Sequence, residues 1–218
     1  MWLGLTLPAL AADPVETEVK IGLACEDLAQ FPVLGEPKTD HITFFEKPGR
    51  PFQRAGIILR KRTGDHADVT VKYRPRTPSA NPPTVPGVEV EGDWTLKSRL
   101  NTWSFKIRGA QFTPEQMTWL ASITPEKPEA RGRVELESER WKWNADGLKV
   151  SIERWSKMKS SGGDCLALEI STRVETAQAE SALAELQRRV AGRGVRIQPS
   201  LQENKTARVL DLLLGRAR

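Results

Sequence analysis

The sequence is poor in the residues that build the commonest metal and redox sites. It holds two histidines, His41 and His66, and two cysteines, Cys25 and Cys165. Two cysteines supply no zinc motif. Neither histidine has a spacing that suggests catalysis or zinc, so both read as surface residues. No stretch beyond the first dozen residues approaches the length of a membrane span, and no membrane partner is expected. There is no internal repeat and no coiled-coil heptad pattern. A strong excess of one charge is also absent: 33 Lys and Arg stand against 28 Asp and Glu, a formal net charge of +5. That balance tolerates an anionic partner. It is not the dense basic block of a nucleic-acid tail, and no nucleic acid is expected.

Charge itself is plentiful. Of 218 residues, 39% are hydrophobic and 28% charged, enough for a core but with many charges to place. Residues 1–12 read MWLGLTLPALAA. The apolar run ending in small residues resembles the end of a secretory signal peptide, without a basic leading region. Export to the periplasm or beyond is the reading, with a cytoplasmic protein carrying an apolar extension as the alternative. Residues 13–218 then form one domain.

Strands are expected over 13–25, 41–46, 68–74, 88–98, 101–108, 131–143, 147–155 and 165–174. Residues 26–40 read as a loop, 51–58 as one or two helical turns, and 75–87, with five prolines, as a surface loop. Helices are expected over 113–122, opened by Thr113-Pro114-Glu115-Gln116, over 175–190 and over 202–214.

The strands alternate, and residues two apart share a face. Glu16, Glu18 and Lys20 therefore point one way, with Val19 and Ile21 opposite. Thr70, Lys72 and Arg74 share a face, as do Lys106 and Arg108, and Lys149, Ser151 and Glu153. Glu169, Ser171 and Arg173 oppose Leu168 and Ile170. Arg131, Arg133, Glu135, Glu137 and Glu139 share a face opposite Val134 and Leu136. A sheet with a wet, mixed-charge outer face explains any one of these strands. A barrel with the charges inside would need ligands to compensate them. Divalent metal with polyphosphate is such a set, because carboxylates hold metal while Arg and Lys hold phosphate.

Five segments, in order, carry a resemblance. They are Glu16-Thr17-Glu18-Val19-Lys20; the block ITFFEKPGRPFQRAGIILRKR ending in Arg60 and Arg62; Thr70-Val71-Lys72; Leu168-Glu169-Ile170; and the closing ENKTARVLDLLL with Asn204-Lys205. Together they resemble the CYTH domain of the triphosphate tunnel metalloenzymes. The resemblance implies an α+β fold: an antiparallel β-barrel tunnel with a charged interior and helices packed outside. It implies Mg2+ or Mn2+ held by Glu16, Glu18 and Glu169, and a triphosphate or polyphosphate held by Lys20, Arg60, Arg62 and Lys72. Arg131, Arg133, Lys106 and Arg108 join the phosphate set by face and type. Either Glu169 or Glu153 could orient an attacking water. Glu89, Glu91, Glu137 and Glu139 read as solvated surface charges.

The family's late Glu-x-Glu is Glu169-Ile170-Ser171 here, one acid short. The leading expectation is metal-dependent hydrolysis of inorganic triphosphate or a related compound. Ser171 keeps two alternatives open: a module that binds polyphosphate without turnover, and a secreted structural or partner-binding barrel. The sequence does not fix an oligomeric state. If the strands before Cys25 and after Cys165 run antiparallel side by side, the two thiols face each other and a disulfide forms.

Overall fold

The computed structural model describes residues 15–75, 82–129, 133–145, 147–158 and 164–215, without the side chain of Leu34. Nine strands build it: β1 (Glu16–Leu23), β2 (Leu34–Phe45), β3 (Ile57–Gly64), β4 (Asp68–Tyr73), β5 (Val88–Trp94), β6 (Arg99–Arg108), β7 (Arg133–Ala145), β8 (Leu148–Lys157) and β9 (Cys165–Glu175). Four α-helices accompany them: α1 (Pro51–Arg54), α2 (Pro114–Ile123), α3 (Ala179–Ala191) and α4 (Lys205–Leu214). The strands close into a barrel in the order β1-β5-β6-β4-β3-β2-β7-β8-β9. Every pairing is antiparallel except β1 with β5. Closure leaves no open edge.

Two expectations about local structure change. Residues 26–40 are not all loop: a 3-10 turn spans Cys25–Gln30, and β2 begins at Leu34. Gly35 and Pro37 sit where the β2–β7 register shifts, between Leu34 and Lys38. A bulge is where a strand accommodates both. Helix α1 stops after four residues, because Ile57 and Leu59 alternate into an apolar layer as strand residues.

Helices cover the barrel unevenly, and the strands respond. Helix α3 packs Ala182, Leu183, Leu186 and Val190 on Val19, Ile21, Ile152 and Ile170. Helices α1 and α2 cover β3, β4 and β6 with Phe52, Trp119 and Leu120. Fully burying such a side chain contributes roughly 1.5–3 kcal/mol. The Gln116 amide of α2 also donates to Val69 O at 3.1 Å and Phe105 O at 2.8 Å. Under these helices the apolar side chains point outward, which leaves the inward positions to charge.

At one end the pattern reverses. Ile42, Phe44, Val134, Leu136, Trp155 and Ala167 pack with Val209 and Leu210 of α4. By strand register these barrel residues share the inward face with Arg60, Arg62 and Glu153. Helix α4 therefore closes the tunnel against an apolar ring instead of covering the outside. Gln202 delivers it there: its amide donates to Gly22 O at 2.8 Å and accepts from Gly22 N at 3.2 Å.

The half-cystine question is settled by the β1–β9 ladder. β1 and β9 are antiparallel neighbours down to Leu23 opposite Leu168, and Cys25 and Cys165 are joined in a disulfide just beyond.

Candidate functional site

The inward faces of the strands enclose a cavity of about 510 Å³. Among the described residues, eleven Lys or Arg and six Asp or Glu line it. The alternation of each strand places them. On β1, Glu18 and Lys20 face in while Thr17, Val19 and Ile21 are buried beneath the outer layer. On β3 and β4, Arg60 pairs in register with Thr70, Arg62 with Asp68, and Ile58 with Lys72, so these side chains share the interior.

Five of the six acids, Glu18, Glu91, Asp93, Glu153 and Glu169, are bound to cations. Lys20 Nζ lies 2.9 Å from Glu18 and 3.2 Å from Asp93. Arg74 also holds Asp93 and donates to Thr102 Oγ1 at 3.0 Å. Lys72 donates to Glu91 at 2.6 Å, and Arg173 reaches Glu91 at 3.2 Å. Glu153 accepts from Ser138 and Arg140, both at 2.8 Å. Lys205, at the start of α4, bridges Glu153 and Glu169, lying 3.0 Å from the latter and 4.3 Å from the Trp155 ring centroid.

Protonation follows these contacts. Burial pushes the Glu18 carboxyl up, but Lys20 and Arg173 outweigh it and hold the group well below the usual carboxylate range. Glu153 is likewise lowered, burial being overcome by Lys205 and Arg140. Burial opposes the Lys20 ammonium, yet Asp93, Glu18 and Glu169 push it up.

Two cations go the other way. Burial, then the neighbouring Arg62, pushes Arg60 down to about 10. Burial pushes Lys72 down to about 8, with Arg74, Arg60 and Lys20 adding repulsion that Glu91 only partly offsets. Arg60 is 3.9 Å from Asp68, and its buried Nε has no hydrogen-bond partner among the described residues. Lys106 and Lys149 line the cavity with no ion pair among the described residues. Here the tunnel is short of negative charge.

Of the residues singled out from the sequence, Glu18, Lys20, Arg60, Arg62, Lys72, Glu153 and Glu169 come together in the cavity. Arg62 is committed to Asp68, its Nε donating at 3.1 Å. Glu16 lies exposed at the start of β1, two residues before Glu18 on the same face. Lys106 lines the cavity, while Arg108 is exposed at the end of β6. Arg131 lies outside the described residues.

Two assignments are corrected. Arg133 does not face the tunnel. Val134 pairs with inward-facing Phe44, so Arg133 turns outward, exposed, its guanidinium 5.6 Å from the Phe45 ring. Glu135, Glu137 and Glu139 share that outer face, because among the described residues no helix covers this part of β7 and the apolar residues fill the plugged end. Glu91 is not a solvated surface charge, since it lines the cavity bound to Lys72; Glu89, also along the cavity, is exposed as expected.

Arg74, Asp93, Arg140 and Arg173 are members of the site to which the sequence assigned no role, and Lys205, part of the closing motif, joins them. One signal was available for Arg140. Along β7 the apolar positions change parity, from Val134 and Leu136 to Trp141 and Trp143, so the inward residues change from apolar to charged at Ser138 and Arg140. Asp93 has no such signal, since its role depends on β1 lying parallel beside β5.

The fit of the carboxylates to a divalent cation can be judged from their arrangement. Oxygen donors of the right chemistry are present in Glu18, Glu153 and Glu169. As folded, however, ammonium and guanidinium groups occupy them. No group of three His, Cys, Asp or Glu gathers among the described residues. The site in this arrangement fits an anion and not a metal.

No family model matches the chain, and no curated protein matches it. Solved structures do. A candidate adenylate cyclase from Bacillus halodurans aligns over 89% of this chain and 97% of its own, at 15% identity and a TM-score of 0.57. A candidate adenylyl cyclase from Hippeastrum, described as revealing a dominant triphosphatase activity, aligns over 84% and 91% at 12% identity, TM-score 0.47. A candidate adenylate cyclase from Vibrio parahaemolyticus aligns over 88% and 95% at 12% identity, TM-score 0.41. The Bacillus halodurans likeness is one of fold. The chain has the tunnel fold that its resemblance to the CYTH domain implied: a closed, mostly antiparallel barrel with a charged interior.

Proposed function

We propose that the tunnel binds the phosphate chain of inorganic triphosphate or a related triphosphate compound. The observation that carries this reading is the surplus of cations along the cavity, eleven Lys or Arg against six Asp or Glu, with the buried Nε of Arg60 unpartnered among the described residues. A buried cation whose counter-charge does not offset its burial is costly, and a phosphate chain laid against Arg60 and Lys72, with the exposed Lys106 beside them, would add that charge. Phosphate oxygens accept several charge-assisted hydrogen bonds at once, which suits guanidinium and ammonium groups converging from β3, β4 and β6.

Hydrolysis of the bound chain is the second reading. It is favoured by Glu153 and Glu169, register partners whose carboxylates both face the cavity. Either could orient a water once a phosphate competes for Lys205. No step is assigned to Mg2+ or Mn2+, because the carboxylates are held by cations. The Cys25–Cys165 bridge favours an oxidising compartment, consistent with export.

The test is release of phosphate from inorganic triphosphate, ATP and thiamine triphosphate, with and without Mg2+ or Mn2+, by the wild type and Lys72→Ala. Release lost in the variant supports hydrolysis. Binding without release selects the non-catalytic module. Neither binding nor release retires the reading.

A further inference from the structure

The turn from β3 to β4 holds a histidine, His66, against the tunnel. Residues 64–66 are fastened to β2 at four points. Thr39 N–H donates to Asp65 Oδ2 at 2.6 Å, and Asp65 N–H donates to Thr39 O at 3.1 Å. His66 N–H donates to Asp40 Oδ1 at 2.7 Å, and His66 Nδ1 lies 2.7 Å from Asp40 Oδ2. The approach needs glycine at 64: φ is 122°, and a Cβ there would meet Thr39 O at 2.4 Å.

Backbone bonds alone would close this turn. The ring contact is a separate commitment. Asp40 is 2% exposed, and its second oxygen is turned to the imidazole. A carboxylate oxygen can only accept, so Nδ1 carries the hydrogen. That fixes the tautomer, as a carboxylate does wherever an imidazole is prepared for proton work. The ring lines the cavity, and Nε2 has no protein partner among the described residues.

The surrounding charges are mixed. Asp40 comes from β2 and Asp65 from the turn. Arg62 of β3 is bound to Asp68 of β4. Lys106 and Arg108 approach from β6, opposite Thr70 and Asp68. Arg140 of β7 feels Asp40 and is bound to Glu153 of β8.

We propose that His66 is a phosphate ligand of the tunnel that works only when its ring is doubly protonated, so that affinity for a phosphate chain depends on pH. The proposal rests on the triphosphate-binding reading. With Nδ1–H held by Asp40, the second proton sits on Nε2 and makes it a charged donor toward a terminal phosphate oxygen. Histidine is the side chain that gains this proton in roughly the pH 5 to 8 range. A charge-assisted hydrogen bond of this kind is worth on the order of tenfold in affinity.

Calorimetric titration with inorganic triphosphate at pH 6 and pH 8 tests it, using the whole chain, His66→Gln and His66→Lys. The ligand's own titration is common to all three. The wild type should tighten on going to pH 6 by about tenfold more than His66→Gln, with the two alike at pH 8. His66→Lys, permanently charged, should bind about tenfold tighter than the wild type at pH 8 and about as the wild type does at pH 6, each compared at the same pH. An equal pH response in the wild type and His66→Gln would overturn this role and leave the tunnel reading standing. No binding by the wild type at either pH would overturn both.

Discussion

Lys72 donates to Glu91 across 2.6 Å, yet its ammonium is pushed down to about 8. One counter-charge, shared with Arg173, does not offset burial and the cations around it. The sign of the consequence is definite. The unfolded chain keeps this proton up to about pH 10.5, while the folded chain gives it up near 8. Between those values the unfolded state binds more protons, so stability contributed by this group rises with pH. Denaturant unfolding of the wild type relative to Lys72→Met should show a difference that is flat below pH 8 and climbs toward pH 10. A flat or falling difference would contradict the burial of an under-compensated cation.

Glu18 and Glu16 share a face but not an environment. Glu18 is held between Lys20 and Arg173, and Glu16 is exposed. Glu18→Gln should destabilise by about 3 kcal/mol at pH 7, the cost of leaving a buried partner uncompensated. Glu16→Gln should stay within about 0.5 kcal/mol. Because the folded-state value of Glu18 is lowered, its contribution is present above its unfolded value and is lost as pH falls through the acid range. Thermal melts of both variants at pH 7 and at pH 3 check the contrast, which should shrink at the lower pH.

The bridge from Cys25 to Cys165 spans 140 positions and ties the end of β1 to the start of β9. Removing it with Cys25→Ser and Cys165→Ser should cost on the order of 2–5 kcal/mol. Thiol titration of the unfolded, unreduced protein should find no free thiol, and two would reject the bridge.

Much of this barrel could be read from alternation, and the failures have a common cause. Glu18-Val19-Lys20 and Thr70-Val71-Lys72 show their inward faces directly, because α3, α1 and α2 draw the apolar residues outward. Arg133 was misplaced because alternation gives two faces but not which one is inside. On β7 the answer changes along the strand, depending on where α3 ends and where α4 plugs the tunnel. Lys20 and Asp93 meet only because β5 joins β1 in parallel, a long-range pairing with no local signature. Lys205 was visible as part of a C-terminal motif, but its bridge to Glu153 and Glu169 depends on Gln202 docking at Gly22.

That docking makes a prediction of its own. A Cβ at Gly22 would meet Leu201 O at 2.0 Å, so Gly22→Ala must displace the segment that delivers α4. It should destabilise by roughly 1–3 kcal/mol, as overpacking does. Hydrogen exchange should show α4 losing protection before α3. Protection unchanged in α4 would mean that the helix is held without this contact.

The most direct test of the tunnel as a phosphate-chain site is the melting temperature with inorganic triphosphate. A ligand bound only by the folded state must raise it as concentration grows. The wild type should melt higher with increasing triphosphate, while a variant carrying both Arg60→Ala and Lys72→Ala should melt at the same temperature with or without it. A wild-type melting temperature indifferent to triphosphate would contradict the account.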